Sequence, residues 1–88
     1  MDLENKVSLV TGAGQGIGEG IANVLASHGS KVMIVDLNKE SADKVANEIN
    51  LLFPNSAASF EADLTDNNAI KSMIDATLST FHKLDCIC

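Results

Sequence analysis

Between residues 12 and 18 every second position is glycine: Gly12, Gly14, Gly16 and Gly18, with Gln15 and Ile17 among them. A short apolar run, Val7 to Val10, leads into this cluster, and an amphipathic segment follows it at once. Strand, tight turn, helix is the order these residues dictate. Glycine lets the backbone of such a turn take positive φ and approach a ligand with no Cβ in the way. The following helix aims its free N–H groups and the positive end of its dipole at the same point. The chemistry on offer is the gripping of an anion, above all a phosphate, by bare main-chain donors. Alone, the cluster is a weak sign, because glycine marks many ligand-free strand–helix turns.

Two acids sharpen it. Asp36 lies eighteen residues after Gly18 and closes a second apolar run, Lys31 to Val35, with Leu37 beside it. In a doubly wound α/β sheet that strand tip borders an adenosine ribose. A carboxylate there accepts from the ribose hydroxyls and repels a 2′-phosphate. The expected cofactor is therefore NAD rather than NADP. Asp63 closes a third run, and with Leu64 it stands where the adenine would lie. The carboxylate can accept a hydrogen bond from the adenine amino group, and the leucine can flank the ring. Each acid also has a plainer reading, Asp36 as a helix cap and Asp63 as a turn residue.

The elements that must hold these residues follow from periodicity. Val7–Val10 and Lys31–Val35 are apolar without alternation, as expected of strands covered on both faces. From Gly16 to His28 the positions Ile17, Ile21, Val24 and Leu25, with Ala22, form a helical stripe, and Gly29 follows as a left-handed terminator. Asn38 is placed to cap a helix over 39–52 whose stripe is Ala42, Val45, Ala46, Ile49 and Leu52. Pro54-Asn55-Ser56 ends it. A weaker strand runs from Ala57 to Ala62. Thr65 or Asp66 is expected to cap a helix over 67–81 with the stripe Ile70, Met73, Ile74, Thr77, Leu78 and Phe81. Leu84 to Cys88 begins a fourth strand. The pattern βαβαβαβ predicts a Rossmann-type α/β fold: a parallel sheet of order 3-2-1-4, incomplete, in three layers. The first two helices belong on one face and the third on the other. The short apolar fourth strand reads as an open edge, so residues 1–88 are expected to be the N-terminal part of a single domain.

Bulk properties narrow the partners. Twelve acids against six bases give a net charge of −6, which disfavours nucleic acid as a ligand. The only aromatics are three Phe, too few for a base-stacking platform. No apolar run is long enough to span a membrane, and the opening Met1-Asp-Leu-Glu-Asn-Lys6 has no apolar leader core. A cytoplasmic location is expected. Cys86 and Cys88 fit neither a disulfide framework nor a metal spacing and are expected to be small buried hydrophobes on one side of a strand. Met33 and Met73 suit the core. His28 suits a helix C-terminus and His82 a polar loop.

Thr11-Gly12-Ala-Gly-Gln-Gly16-Ile-Gly18 resembles the TGxxxGxG pattern of the short-chain dehydrogenases/reductases; Ile17 breaks the commoner GxGxxG spacing. The opening Glu4-Asn-Lys-Val-Ser-Leu-Val10, the acid at Asp36, the step Ala62-Asp63-Leu64 and Phe81-His-Lys-Leu-Asp85 are similar to that family too. The resemblance runs through essentially the whole chain. It implies an NAD(P)(H)-dependent oxidoreductase acting on an alcohol or carbonyl, and full-length relatives that form homo-oligomers. It implies that Gly12, Gln15, Gly16, Ile17 and Gly18 surround the pyrophosphate and nearby ribose, with Gly14 in the same turn. Family members continue from the fourth strand into an Asn-Asn-Ala-Gly turn and, later, a Ser and a Tyr-x-x-x-Lys pair. None of these stands within the 88 residues, which contain no Tyr. The chain is thus expected to be the cofactor-binding half, inactive alone, whether as a fragment, an early-ending gene product or one part of an assembly. A non-catalytic dinucleotide-binding remnant is the alternative. Gly12-Ala-Gly14-Gln-Gly16 with acids ending strands two and three also suits an S-adenosylmethionine-dependent methyltransferase. Those enzymes usually carry an acid just before the glycines, where Val10 and Thr11 stand here.

Overall fold

A computed structural model describes residues 3–88; Met1 and Asp2, which open the stretch read as having no leader core, lie outside it. The elements are β1 (Val7–Thr11), α1 (Gly16–Ser27), β2 (Lys31–Asp36), α2 (Lys39–Leu52), β3 (Ala57–Glu61), α3 (Ala69–Phe81) and β4 (Cys86–Ile87). The four strands form one parallel sheet in the order β3-β2-β1-β4, as the sequence pattern predicts. Thr11 is level with Val35, and Asp36 with Glu61, so three strands end along one edge.

Four consecutive buried residues in β1 and four in β2 carry the core. Strand geometry sends alternate side chains to opposite faces. Val10, Val32 and Ile34 meet the buried alanines of α1 and Val45 and Ile49 of α2. Leu9, Met33 and Val35 meet Met73 of α3 on the other face. The expected layering therefore holds, with each fully buried aliphatic contributing about 1.5–3 kcal/mol. α2 has the expected bounds, and its cap is the expected one: Asn38 Oδ1 accepts from the Ser41 N–H at 3.1 Å. Gly29 has φ of 99° just past α1.

Several packing expectations are corrected. In α1 the buried residues are Ala22 and Ala26, whereas Ile17 is 84% and Val24 57% exposed, and Ile21 is exposed as well. The helix starts so close to β1 that only small side chains fit between helix and sheet, and the stripe Gly18, Ala22, Ala26 faces inward. In α2, Leu52 ends outside the core at 72% exposure. α3 turns Ala69, Met73 and Thr77 inward and leaves Ile70 and Leu78 exposed. It begins after Asn68, and neither Thr65 nor Asp66 caps it. Asp66 instead closes the preceding turn: its carboxylate accepts from the Asn68 N–H at 2.8 Å and its carbonyl from the Ala69 N–H at 3.0 Å. His82 is not in a loop proper but terminates α3 with left-handed φ of 69°. Cys86 and Cys88, expected to be buried, are exposed among residues 3–88, where β4 is the outer strand.

Asp85 fastens that edge. Its Oδ2 accepts from the Val7 N–H at 2.8 Å and meets Lys83 Nζ at 3.2 Å, while its own N–H donates to the Val7 carbonyl. The Val7 amide first, and the Lys83 ammonium after it, hold the Asp85 carboxyl below its ordinary value of 3.8. A carboxyl lowered by folding adds stability above its unfolded value and loses it as pH falls through the folded one. Asp85→Asn keeps an acceptor for Val7 but has no proton to take up. Denaturant midpoints measured from pH 5 to pH 2 should therefore fall less steeply for Asp85→Asn than for the wild type. Parallel slopes would show that the carboxylate does not hold the edge.

Candidate functional site

The glycine turn is built by two different uses of glycine. Gly12 and Gly16 have φ of 64° and 63°, the left-handed conformation that side chains disfavour. Gly14 and Gly18 do not share it, contrary to a uniform role for all four; they are needed for close approach. A Cβ on Gly18 would stand 2.2 Å from the Gly12 carbonyl oxygen. A Cβ on Gly14 would stand 2.8 Å from both Asp36 Oδ2 and Ser41 Cβ. Ala13, which the sequence did not single out, anchors the turn: it is fully buried and its N–H donates to the Val35 carbonyl at 3.0 Å. Its signal was being a small apolar side chain between the first two glycines of the cluster. Gln15 sits extended at the N-cap of α1 and makes no side-chain capping bond.

Asp36 is held by both oxygens. Oδ2 accepts from the Gly14 N–H and Oδ1 from the Asn38 N–H, each at 2.9 Å. The carboxylate thus joins the glycine turn to the start of α2. Each oxygen has a second lone pair, so further donors can still be accepted. Asp63 uses Oδ1 for both the Thr65 hydroxyl at 2.7 Å and the Thr65 N–H at 2.9 Å. These two bonds, the hydroxyl first, lower its pKa. It is a turn-forming residue and an ionised one at once.

Both acids open on one cleft of about 250 Å³ at the carboxyl edge of the sheet. Gly12 forms its wall where β1 ends; Val35, Asp36 and Leu37 come from β2; Ala62, Asp63 and Leu64 follow β3. Leu37 and Leu64 are exposed leucines beside the two carboxylates. Val35 and Ala62, the last core residues before the acids, make an apolar floor that was not anticipated. A wider, shallower space adjoins it, bordered by Gln15, Asp36, Leu37, Lys39, Glu40 and Glu61. Of the ten residues predicted for the site, Gly12, Asp36, Leu37, Asp63 and Leu64 therefore share one cleft, and Gln15 the next. Gly14 is tied to Asp36 through its N–H. Gly16 and Gly18 shape the turn without lining either space, and Ile17 lies with Ile21, Val24 and Leu25 along a separate apolar groove of α1. A cleft with convergent carboxylates, apolar edges and an adjacent glycine turn can hold a flat, hydroxyl-bearing ligand with an anionic tail.

Residues 6–88 match the family model described as short chain dehydrogenase. A secoisolariciresinol dehydrogenase of Forsythia intermedia is 37% identical over 83 residues, 94% of this chain and 29% of the relative. A cyclohexanol dehydrogenase of an Acinetobacter species is 41% identical over 82 residues, 93% of this chain and 32% of the relative. Among solved structures, a 3-ketoacyl-(acyl-carrier-protein) reductase of Brucella melitensis complexed with NADH superposes with a TM-score of 0.89 at 42% identity. That likeness covers 97% of this chain and 34% of the reductase. A hydroxysteroid dehydrogenase of Escherichia coli gives a TM-score of 0.92 at 33% identity over 97% of this chain and 35% of the other. The chain spans about a third of the length of the curated relatives it matches. These likenesses favour the dehydrogenase reading over the methyltransferase one. No helix among the described residues is long and apolar enough to cross a membrane. With a family match over nearly its whole length and the family's fold in its strand order, the chain belongs to the short-chain dehydrogenases.

Proposed function

We propose that this chain binds the adenosine diphosphate part of a nicotinamide dinucleotide, NAD(H) in preference to NADP(H), as the cofactor half of an oxidoreductase. Residues 1–88 are then the N-terminal part of one dinucleotide-binding domain. The reaction is hydride transfer between the cofactor and an alcohol or carbonyl compound, and the setting is the cytoplasm. The observation that carries this is the convergence of Asp36 and Asp63 on one cleft beside the Gly12 turn. The turn fits a pyrophosphate, since Gly12 and Gly16 leave open space where a Cβ would stand. Asp36, already oriented by two N–H groups, is suited to accept the ribose hydroxyls. Leu37 and Leu64 are suited to flank the adenine. Bound there, the cofactor supplies or accepts the hydride; this chain's residues bind and orient it.

The charge around Asp36 supports NAD. Glu40 and Glu61 border the adjoining space, and the one lysine there, Lys39, is drawn to Asp43 at 3.1 Å. A 2′-phosphate would enter a field of carboxylates. The test is thermal or urea unfolding of the protein with NADH, NADPH and S-adenosylmethionine. A ligand that binds only the folded form stabilises it by about 2.7 kcal/mol at a hundredfold excess over Kd. NADH should show this stabilisation at concentrations where NADPH shows none. Equal or tighter NADPH binding removes the preference, and stabilisation by neither dinucleotide removes the site.

A further inference from the structure

The corner between α2 and β3 holds a chain of polar side chains that the proposed function does not use. Lys39 is the first residue of α2, and Asp43 stands one turn further on. Lys39 Nζ meets Asp43 Oδ2 at 3.1 Å and Oδ1 at 3.3 Å. From β3, the Ser59 hydroxyl donates to the same Asp43 Oδ1. β3 lies at the side of the sheet away from β4, and in the doubly wound order any further strands pair beyond β4. Local rules alone do not favour the ion pair. A cation at the first position of a helix faces the positive end of its dipole, and Lys four residues ahead of an acid is the weaker order of such a pair. Both side chains are exposed, Lys39 by 63% and Asp43 by 41%, and an exposed pair gains little when two mobile groups must be fixed together. Ser59 changes that balance. Its hydroxyl first, and Lys39 after it, hold the Asp43 carboxyl below its ordinary value of 3.8. A carboxylate already oriented leaves only the lysine to be ordered.

Lys39 also borders the space beside Asp36. Asp36, Glu40 and Glu61 supply the acids of that space, and Lys39 is its only base among the described residues. Glu61 is level with Asp36 and, two residues after Ser59 on β3, shares its face. A 2′-phosphate on a ribose held by Asp36 would enter this space. Lysine carries its charge on a flexible four-carbon stem. The Lys39 ammonium can therefore serve the phosphate or Asp43, but not both at full strength.

We propose that Asp43 and Ser59 are positioning residues for cofactor choice: Ser59 orients the Asp43 carboxylate, Asp43 draws Lys39 to itself, and a 2′-phosphate beside Asp36 is thereby denied the one cation that could meet it. The inference rests on the cofactor reading above and adds a second device to it. Asp36 rejects the phosphate by its own charge. Asp43 acts from one helical turn away, through the lysine, and touches neither dinucleotide.

The test measures dissociation constants for NADH and NADPH in the wild type, Asp43→Asn, Ser59→Ala, Lys39→Gln and the double variant Lys39→Gln/Asp43→Asn. Asparagine keeps an oxygen for the Ser59 hydroxyl but has no charge to hold Lys39. Asp43→Asn should tighten NADPH relative to NADH by about two- to fivefold, the range of an exposed ion pair. The gain should shrink at high salt. Ser59→Ala should move the ratio the same way by less. Lys39→Gln should weaken NADPH, and adding Asp43→Asn to it should recover nothing, the non-additivity expected of residues that act through one another. An unchanged NADH-to-NADPH ratio in Asp43→Asn, with NADH still bound, overturns the inference and leaves the cofactor reading standing. The same gain with Lys39→Gln present also overturns it, because Asp43 would then act only as a distant charge. An unchanged ratio in Ser59→Ala removes Ser59 from the device. A wild type that binds neither dinucleotide removes the cofactor reading and this inference together.

Discussion

Gly18→Ala should abolish NADH-dependent stabilisation and lower the protein's own stability by about 1–3 kcal/mol, the usual range for an over-packed interior. The added Cβ would sit 2.2 Å from the Gly12 carbonyl oxygen, 2.8 Å from the Gly12 carbonyl carbon and 3.0 Å from Ala13 Cα. All three are backbone atoms, so no flexible side chain can swing aside. Two relaxations remain. α1 can move off the sheet, which opens the contacts of Ala22 and Ala26. Alternatively the turn can shift, which strains the Ala13 N–H bond to Val35 and displaces Gly12 from the cleft wall. Either outcome damages the corner on which ligand binding depends. Gly20→Ala is the control, since a Cβ there meets nothing within 4 Å. Relieving a helix-interior glycine there should add about 0.5–1 kcal/mol. Urea unfolding of both variants, with and without NADH, checks the pair. Equal midpoints for Gly18→Ala and Gly20→Ala would mean that the close approach of α1 to β1 does not constrain the site.

The second large effect is expected at Asp36. Asp36→Asn should weaken NADH binding and narrow the preference for NADH over NADPH by roughly 10- to 100-fold. Like charges brought together cost several kcal/mol, and each 1.4 kcal/mol or so is a factor of about ten in affinity. Removing the carboxylate charge therefore relieves NADPH specifically. The loss for NADH has another cause. Asp36 now accepts from two N–H groups, those of Gly14 and Asn38. An amide offers one oxygen and one NH2, so one of those N–H groups would face a donor and the glycine turn would loosen. Dissociation constants for both dinucleotides, wild type against Asp36→Asn, give the ratio directly. A variant that binds NADH less tightly but keeps the same NADH-to-NADPH ratio would show that Asp36 acts only by holding the turn.

That double role of Asp36 marks the boundary between what the residues declare locally and what contacts decide. An acid ending an apolar run is visible as a pattern, and so is the capping Asn38 ahead of α2. The hydrogen bond from Gly14 to Asp36 is not visible, because its partners are 22 residues apart. Asp63 was legible both as a turn residue and as a candidate site residue; the fold makes it a turn residue that also lines the cleft. Family motifs made the turn, the two acids and the Phe81–Asp85 stretch conspicuous without saying how they bind one another.

The order and type of the seven elements followed from hydrophobic periodicity and turn residues, and the 3-2-1-4 order of the parallel sheet from adding right-handed crossovers in the dinucleotide-binding arrangement. Periodicity and turn residues are properties of short windows, and burial on both faces of β1 and β2 leaves little choice about where they go. Only the tertiary structure decided which side of α1 faces the sheet and why Gly14 and Gly18 must be glycine. Ile17, Ile21 and Val24 make as good a helical stripe as Gly18, Ala22 and Ala26; the distance of closest approach between helix and strand selects the small one. That distance is set by the Gly12–Gly18 backbone contact, and no periodicity within a single helix encodes it.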